Sequence, residues 1–202
     1  MVEKKRMLDT ELRQELSKET CHEIMDFLMV EFRDETDYHY NYYFDNDNGD
    51  LSERDITLRL RSAVKGKTIR YALTLKVPTI EKDTFLEYNQ ALEEREMRLL
   101  AYNNVLPEGE IGELTSIHGG KVKLINVIKV TRTTALYQNM RLFFDRIGHK
   151  GKTFFEMGTR IDRSGVQRPR DNKEKFIALL KKFDIDYVQA PRRSKKFKNI
   201  GD

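Results

Sequence analysis

An α+β fold built on a closed antiparallel β-barrel of about eight strands, with helices packed outside, is the class that three observations predict. Successive segments alternate apolar and charged residues with a period of two, as in Leu58-Arg59-Leu60-Arg61, so each strand presents one apolar and one charged face. Two tight connections, Tyr137-Gln138-Asn139 and His149-Lys150-Gly151, join the last three such segments as consecutive hairpins and make the sheet antiparallel. A barrel of about eight strands encloses room for one small ligand, and closure removes exposed edges.

The 202 residues are enough for one sizeable core and require no second domain. A single domain over 1–202 is expected, with its core at about 1–184 and a basic tail over 190–202. The net charge of +4, from 37 basic and 33 acidic residues, is too small for a global field that would imply nucleic acid. The tail Arg192-Arg193-Ser194-Lys195-Lys196-Phe197-Lys198 is read as a solvated end. Cys21, the single cysteine, excludes an internal disulfide and any cysteine metal site. There is no long apolar run, and no apolar stretch follows the basic residues of Met1–Arg6, so a cytoplasmic location is expected, with no membrane.

In chain order, a short strand is expected at Val2–Met7. A helix capped by Asp9 or Thr10 follows to about Phe32, because Leu12, Leu16, Cys21, Ile24, Met25, Leu28 and Phe32 recur at helical spacing. Cys21 lies on that stripe as a small core residue. Strands follow at Tyr38–Phe44, at Ile56–Arg61 and at Ile69–Val77, the last two joined by a turn at Gly66. A strand at Phe85–Asn89 leads into a helix from Ala91 to Asn103 and a second helix from Glu108 to Ile117. Three more strands occupy Val122–Thr134, Met140–Ile147 and Thr153–Ile161, and a last helix from Asn172 to Phe183 lies over the barrel from outside.

The charged faces carry Glu3 and Lys5, Arg59 and Arg61, Arg70 and Lys76, Glu87, Arg132, Arg141 and Asp145, then Glu156 and Arg160. Pattern alone leaves two arrangements open. The charges lie in solvent on an ordinary half-buried sheet, or they lie inside a barrel, where each must be paired or ligand-bound. The second has a chemical use. Guanidinium groups match phosphate oxygens bidentately, and carboxylates hold the Mg²⁺ or Mn²⁺ that accompanies a polyphosphate.

These residues resemble the CYTH family of triphosphate tunnel metalloenzymes, in motif order as well as content. Val2-Glu3-Lys4-Lys5 resembles the second half of the family's opening Glu-x-Glu-x-Lys strand. Tyr42-Tyr43-Phe44-Asp45 resembles its Tyr-Phe-Asp, Leu58-Arg59-Leu60-Arg61 its Leu-Arg-x-Arg, and Leu73-Thr74-Leu75-Lys76 its Leu-Thr-Leu-Lys. Phe85-Leu86-Glu87 stands where the family has an acidic residue. Thr131-Arg132, Leu142-Phe143-Phe144-Asp145-Arg146, Gly151 and Phe154-Phe155-Glu156 resemble the later motifs. Three positions depart: Met1 and Gly158 stand in place of family glutamates, and Val130 in place of a lysine, with Lys129 on the opposite face.

The resemblance implies metal-dependent hydrolysis of a triphosphate compound such as tripolyphosphate, thiamine triphosphate or a nucleoside triphosphate. It implies phosphate binding by Lys5, Arg59, Arg61, Lys76 and Arg132, with Mg²⁺ or Mn²⁺ held by Glu3, Glu87, Asp145 and Glu156. Catalytic roles fall to Glu3, Glu156 and Lys5. A class IV adenylate cyclase is the alternative within the family. A non-catalytic triphosphate-binding module is the alternative that the missing glutamates suggest. On this reading Gly158→Glu adds a carboxylate beside Glu156 and strengthens cation binding. The expected partner is a triphosphate-containing small molecule, with a homodimer compatible and no nucleic acid: interleaved Tyr and Phe more often pack a barrel than stack bases.

Overall fold

The computed structural model describes residues 5–32, 37–117, 121–161 and 169–197. The strands are β1 (Lys5–Leu16), β2 (Asp37–Asn46), β3 (Thr57–Lys65), β4 (Thr68–Pro78), β5 (Thr84–Leu92), β6 (Val122–Tyr137), β7 (Met140–His149) and β8 (Lys152–Arg160). The helices are α1 (Lys18–Phe27), α2 (Asp50–Glu53), α3 (Glu94–Asn103), α4 (Glu110–Ile117), α5 (Pro169–Lys181) and α6 (Arg193–Lys196). The strands close into one barrel in the order β1-β5-β4-β3-β2-β6-β7-β8. Every neighbouring pair is antiparallel.

Closure depends on β1. Its first half pairs with β5, from Lys5 opposite Asn89 to Thr10 opposite Thr84. Its second half pairs with β8, from Glu11 opposite Arg160 to Leu16 opposite Phe155. The helix expected from Asp9 is therefore a strand as far as Leu16, and helix begins only at Lys18. Leu12 and Leu16 are four apart, a spacing that fits one face of a helix and equally one face of a strand. The flanking residues decide: Leu8, Thr10, Leu12 and Leu16 fall on one side and Asp9, Glu11, Arg13 and Glu15 on the other. Ser17 then starts α1, its hydroxyl accepting from the Thr20 N–H at 3.0 Å, in place of the expected cap at Asp9 or Thr10.

Apolar strand faces point outward beneath the helices. Leu58, Leu60, Leu73 and Leu75 pack with Leu100 of α3 and Ile111 of α4. Leu142, Phe144 and Met157 pack with Cys21 and Ile24 of α1 and with Phe176, Leu179 and Leu180 of α5. Full burial of each such side chain stabilises by roughly 1.5–3 kcal/mol, so these outer layers supply the hydrophobic core and the opposite faces are left for the lumen. α3 starts three residues beyond the expected Ala91, because β5 continues to Leu92 and a reciprocal capping box of Glu93 and Glu96 opens the helix.

The tail departs most from expectation. Residues 190–197 run into the barrel, where Ala190, Arg193 and Phe197 are buried. Phe197 joins an inner apolar cluster with Tyr43, Ile128, Val130 and Ile147, which anchors the segment hydrophobically. Carboxylates in the lumen supply the counter-charges that bring its basic residues inside. Among the described residues no helix is long and apolar enough to cross a membrane.

Candidate functional site

The charged strand faces meet in one cavity of about 350 Å³. Its wall carries Arg13, Arg59, Arg61, Lys76, Arg132 and Arg160, with Asp9 and Glu11 between them, and residues 189–195 cover one side. Of the residues expected to bind phosphate, Arg59, Arg61, Lys76 and Arg132 thus face a shared space. Lys5 sits at the start of β1 opposite Asn89, and its side chain lies outside what the structure describes. Glu3 lies outside the described residues. Asp9, Glu11 and Arg13 were not among the expected site residues.

The sheet register fixes who meets whom. Arg132, Asp145, Glu156 and Glu15 form one transverse row across β6, β7, β8 and β1. Arg132 forks onto Asp145, Nε to Oδ1 at 2.7 Å and Nη2 to Oδ2 at 2.6 Å, and its guanidinium lies 4.1 Å from the Phe143 ring centroid. From the other side Arg193 donates to Asp145 and, through Nε at 3.0 Å and Nη2 at 2.5 Å, to Glu156. Both carboxylates are fully buried. Burial raises the Asp145 carboxyl, but Arg132 and Arg193 outweigh it and hold the group well below the usual carboxylate range.

A second ion cluster lies on the β1, β4, β5 and β8 side. Lys76 contacts Asp9 and, at 2.8 Å, Glu87. Arg160 reaches Glu11 at 3.1 Å and Asp9 at 3.5 Å. Burial would raise Glu87, yet Lys76 and Arg59 bring it down to about 2. Asp9 is raised, by burial first and then by its like-charged neighbour Glu11.

Three guanidiniums are held by neutral groups. Arg59 donates to Thr74 Oγ1 at 3.1 Å, Thr74 to Asn89 Oδ1 at 2.9 Å, and Asn89 to Glu87 at 2.7 Å, a relay that aims Arg59 at the cavity. Arg61 donates through Nε to Asn41 Oδ1 at 2.8 Å. Arg13 donates to the Ala190 carbonyl at 3.3 Å. The Nε atoms of Arg59 and Arg13 are buried without a hydrogen-bond acceptor among the described residues. The Arg61 guanidinium is held well below its ordinary range by burial, then by Arg59 and Arg132 beside it. A cluster of like charges with idle donors is arranged for a polyanion.

A divalent cation does not fit the residues as they stand. Among the described residues no three acidic, histidine or cysteine side chains gather as a metal cluster. Of the expected metal ligands, Glu87 is engaged by Lys76, and Asp145 and Glu156 by Arg193. Gly158, where a glutamate was expected to add charge, has no room: a Cβ there would lie 2.4 Å from Phe143 Cζ and 2.6 Å from the Leu12 carbonyl oxygen. Val130 faces the inner apolar cluster, while Lys129 lies 4.7 Å from the Tyr38 ring centroid.

Comparison with known proteins agrees with this geometry. The structure is similar to that of a candidate adenylate cyclase from Bacillus halodurans, at TM-score 0.81 and 22% identity, over 95% of this chain and 98% of that one. It is also similar to a candidate adenylyl cyclase from Hippeastrum, described as revealing a dominant triphosphatase activity, at TM-score 0.72 and 18% identity, over 95% and 94% of the two chains. A Pyrococcus horikoshii protein matches at TM-score 0.62 and 18% identity, over 94% and 96%. At these identities the likeness is one of fold. No curated protein is significantly similar in sequence. The CYTH domain matches residues 7–186, a span that begins downstream of Glu3 and Lys5 and includes Asp9, Glu11 and Arg13. With that domain spanning most of its length and the barrel closed around a basic cavity, the chain belongs to the CYTH family.

Proposed function

We propose that the chain binds a triphosphate-containing small molecule in the barrel cavity and hydrolyses it, releasing orthophosphate. CYTH proteins bind triphosphate substrates and are metal-dependent in general. The observation that carries the reading is the set of guanidiniums at Arg13, Arg59 and Arg61, which converge on one cavity with neutral partners, the Nε donors of Arg13 and Arg59 being idle among the described residues. Arg132 and Lys76 complete the grip. Of the residues the sequence suggested, Arg59, Arg61, Lys76 and Arg132 keep the phosphate role in this proposal, and Arg13 joins them.

These cations act on the chemistry as well as on binding. Phosphoryl transfer asks a protein mainly to position the chain and to stabilise charge on the leaving group. Preoriented guanidiniums in an enclosed space do so without reorganising. The carboxylates hold the cations in place: Glu87 positions Lys76, and Asp145 positions Arg132. Glu156 keeps its proposed catalytic role, and Mg²⁺ or Mn²⁺ remains the proposed cofactor. A cytoplasmic location is part of the same reading, supported by the lone buried cysteine.

A second reading, a binding module without turnover, is favoured by one observation, the engagement of Asp145 and Glu156 by Arg193. The deciding measurement is product release from tripolyphosphate, ATP and thiamine triphosphate with Mg²⁺ or Mn²⁺. Orthophosphate is expected. Pyrophosphate from ATP would assign a cyclase instead, and tight binding with neither product would assign the module.

A further inference from the structure

The cavity wall is chiefly charged. Sites that enclose organic ligands are lined mainly by apolar and aromatic side chains, whereas most of this wall is arginine, lysine, aspartate and glutamate. Such a wall serves a phosphate chain. An organic group attached to that chain needs a surface of its own, and for a planar heterocycle the suitable surface is an aromatic ring.

Among the described residues, the aromatic rings on the wall are those of Tyr43 and Phe85. The residues outside the described ones include no phenylalanine, tyrosine or tryptophan. Tyr43 is 5% exposed and packs into the inner apolar cluster with Ile128, Val130, Ile147 and Phe197, so its ring is spent on the fold. Phe85 remains, at the start of β5 between Asp9 of β1 and Pro78 of β4.

Phe85 is already covered. The guanidinium carbon of Arg192 lies 3.7 Å from its ring centroid, well inside the range of a cation–π contact. Neighbouring contacts fix that placement. Arg192 donates through Nη1 to the Asp55 carbonyl at 2.9 Å and lies 3.6 Å from the Asp55 carboxylate. Lys195 pairs with the same carboxylate at 3.1 Å, and the Ser194 and Thr57 hydroxyls are 3.0 Å apart. With 14% of its side chain exposed, Arg192 has little free face on which a second ring could stack in turn.

We propose that Arg192 is a specificity-determining residue: by capping Phe85 it denies an organic ring the aromatic surface of the cavity, so the site prefers an unsubstituted oligophosphate to a nucleoside triphosphate. The inference rests on the triphosphate reading above and names which member of that class the site selects. It gives Arg192 no part in the chemical step, so binding alone reads it.

The test compares affinities for tripolyphosphate and ATP by titration calorimetry, with EDTA present to suppress turnover. The unmodified chain should prefer tripolyphosphate, and Arg192→Ala should narrow that preference by about tenfold, the usual worth of one base stacked on one ring. Weakening from the lost charge or from a loosened segment falls on both ligands and cancels in the ratio, so a merely structural role would leave the preference unchanged. Arg192→Ala/Phe85→Leu should restore it. Failure of tripolyphosphate to bind at all would remove the triphosphate reading and this inference together. Tripolyphosphate binding with no preference over ATP, or with a preference that Arg192→Ala does not narrow or Phe85→Leu does not restore, would overturn the inference alone. A second measurement needs no variant: with ATP in excess over the unmodified protein, saturation-transfer NMR should show no transfer to the adenine protons. Transfer to adenine would equally refute the cap.

Discussion

Arg61 is half-buried beside Arg59 and Arg132, with the neutral Asn41 as its hydrogen-bond partner. Its charge opposes folding locally and favours an anion. Arg61→Ala should therefore leave thermal stability unchanged or raise it, while weakening tripolyphosphate binding by about 2 kcal/mol, around thirtyfold; melting curves with calorimetric titration check both halves. His39 reports on the same field. Burial, then Arg61 and Arg132, push its imidazole down to about 3 from the ordinary 6.5. A bound polyanion cancels the repulsion from those arginines, so the His39 pKa should rise on adding tripolyphosphate, followed by NMR of labelled histidine. No movement would place the ligand away from Arg61 and Arg132. Arg59, Arg61, Lys76 and Arg132 were legible in the sequence because strict alternation set them opposite leucines or threonines. Arg193 was not: a basic run near a chain end reads as solvated unless the buried carboxylates it meets are known.

Among the elements, β7 and β8 explain the glycine where a glutamate was expected. Phe143 fills the space above Gly158, and the Leu12 carbonyl of β1 closes it from the side. Gly158→Ala should destabilise the fold by about 1–3 kcal/mol, the usual cost of overpacking, and Gly158→Glu by more, without adding a cation ligand. Denaturant melts of both variants, alone and combined with Phe143→Ala, would measure it. Only partial rescue is expected, because the Leu12 contact is with backbone. β3 and β4 could be read from sequence because apolar and polar residues alternate along them, and β6, β7 and β8 because tight turns separate them. β1 could not, since Leu12 and Leu16 satisfy two periods at once and only the partner strands choose between them. That one misplaced element hid the place of Asp9, Glu11 and Arg13 on the cavity wall.

At the scale of the whole molecule, acid should unfold the barrel from within. Glu87, at about 2 in the folded state against an ordinary 4.5, contributes stability that is complete above the ordinary carboxylate range and is lost as pH falls toward 2. Asp145 shifts in the same direction. His39 adds to the trend at milder pH, because below about 6.5 the unfolded chain takes up a proton that the folded chain refuses until about 3. The melting temperature should fall steadily from pH 7 to pH 4, and His39→Gln should flatten the upper part of that slope. The last helix lying outside the barrel followed from sequence because its period was unambiguous, whereas pattern alone left open which strand faces turn outward, and the layer under α1 includes Leu12, whose period was ambiguous. The filling of the lumen by 190–197 followed only from the closed ring. Ring closure has one more consequence. β1 alone bridges β5 and β8, so a fragment lacking it would present two open edges, each able to accept an added strand. A peptide of residues 5–16 supplied in trans should reassemble the barrel by complementation, making this protein a two-part system in which a short synthetic strand restores ring closure to an otherwise incomplete chain.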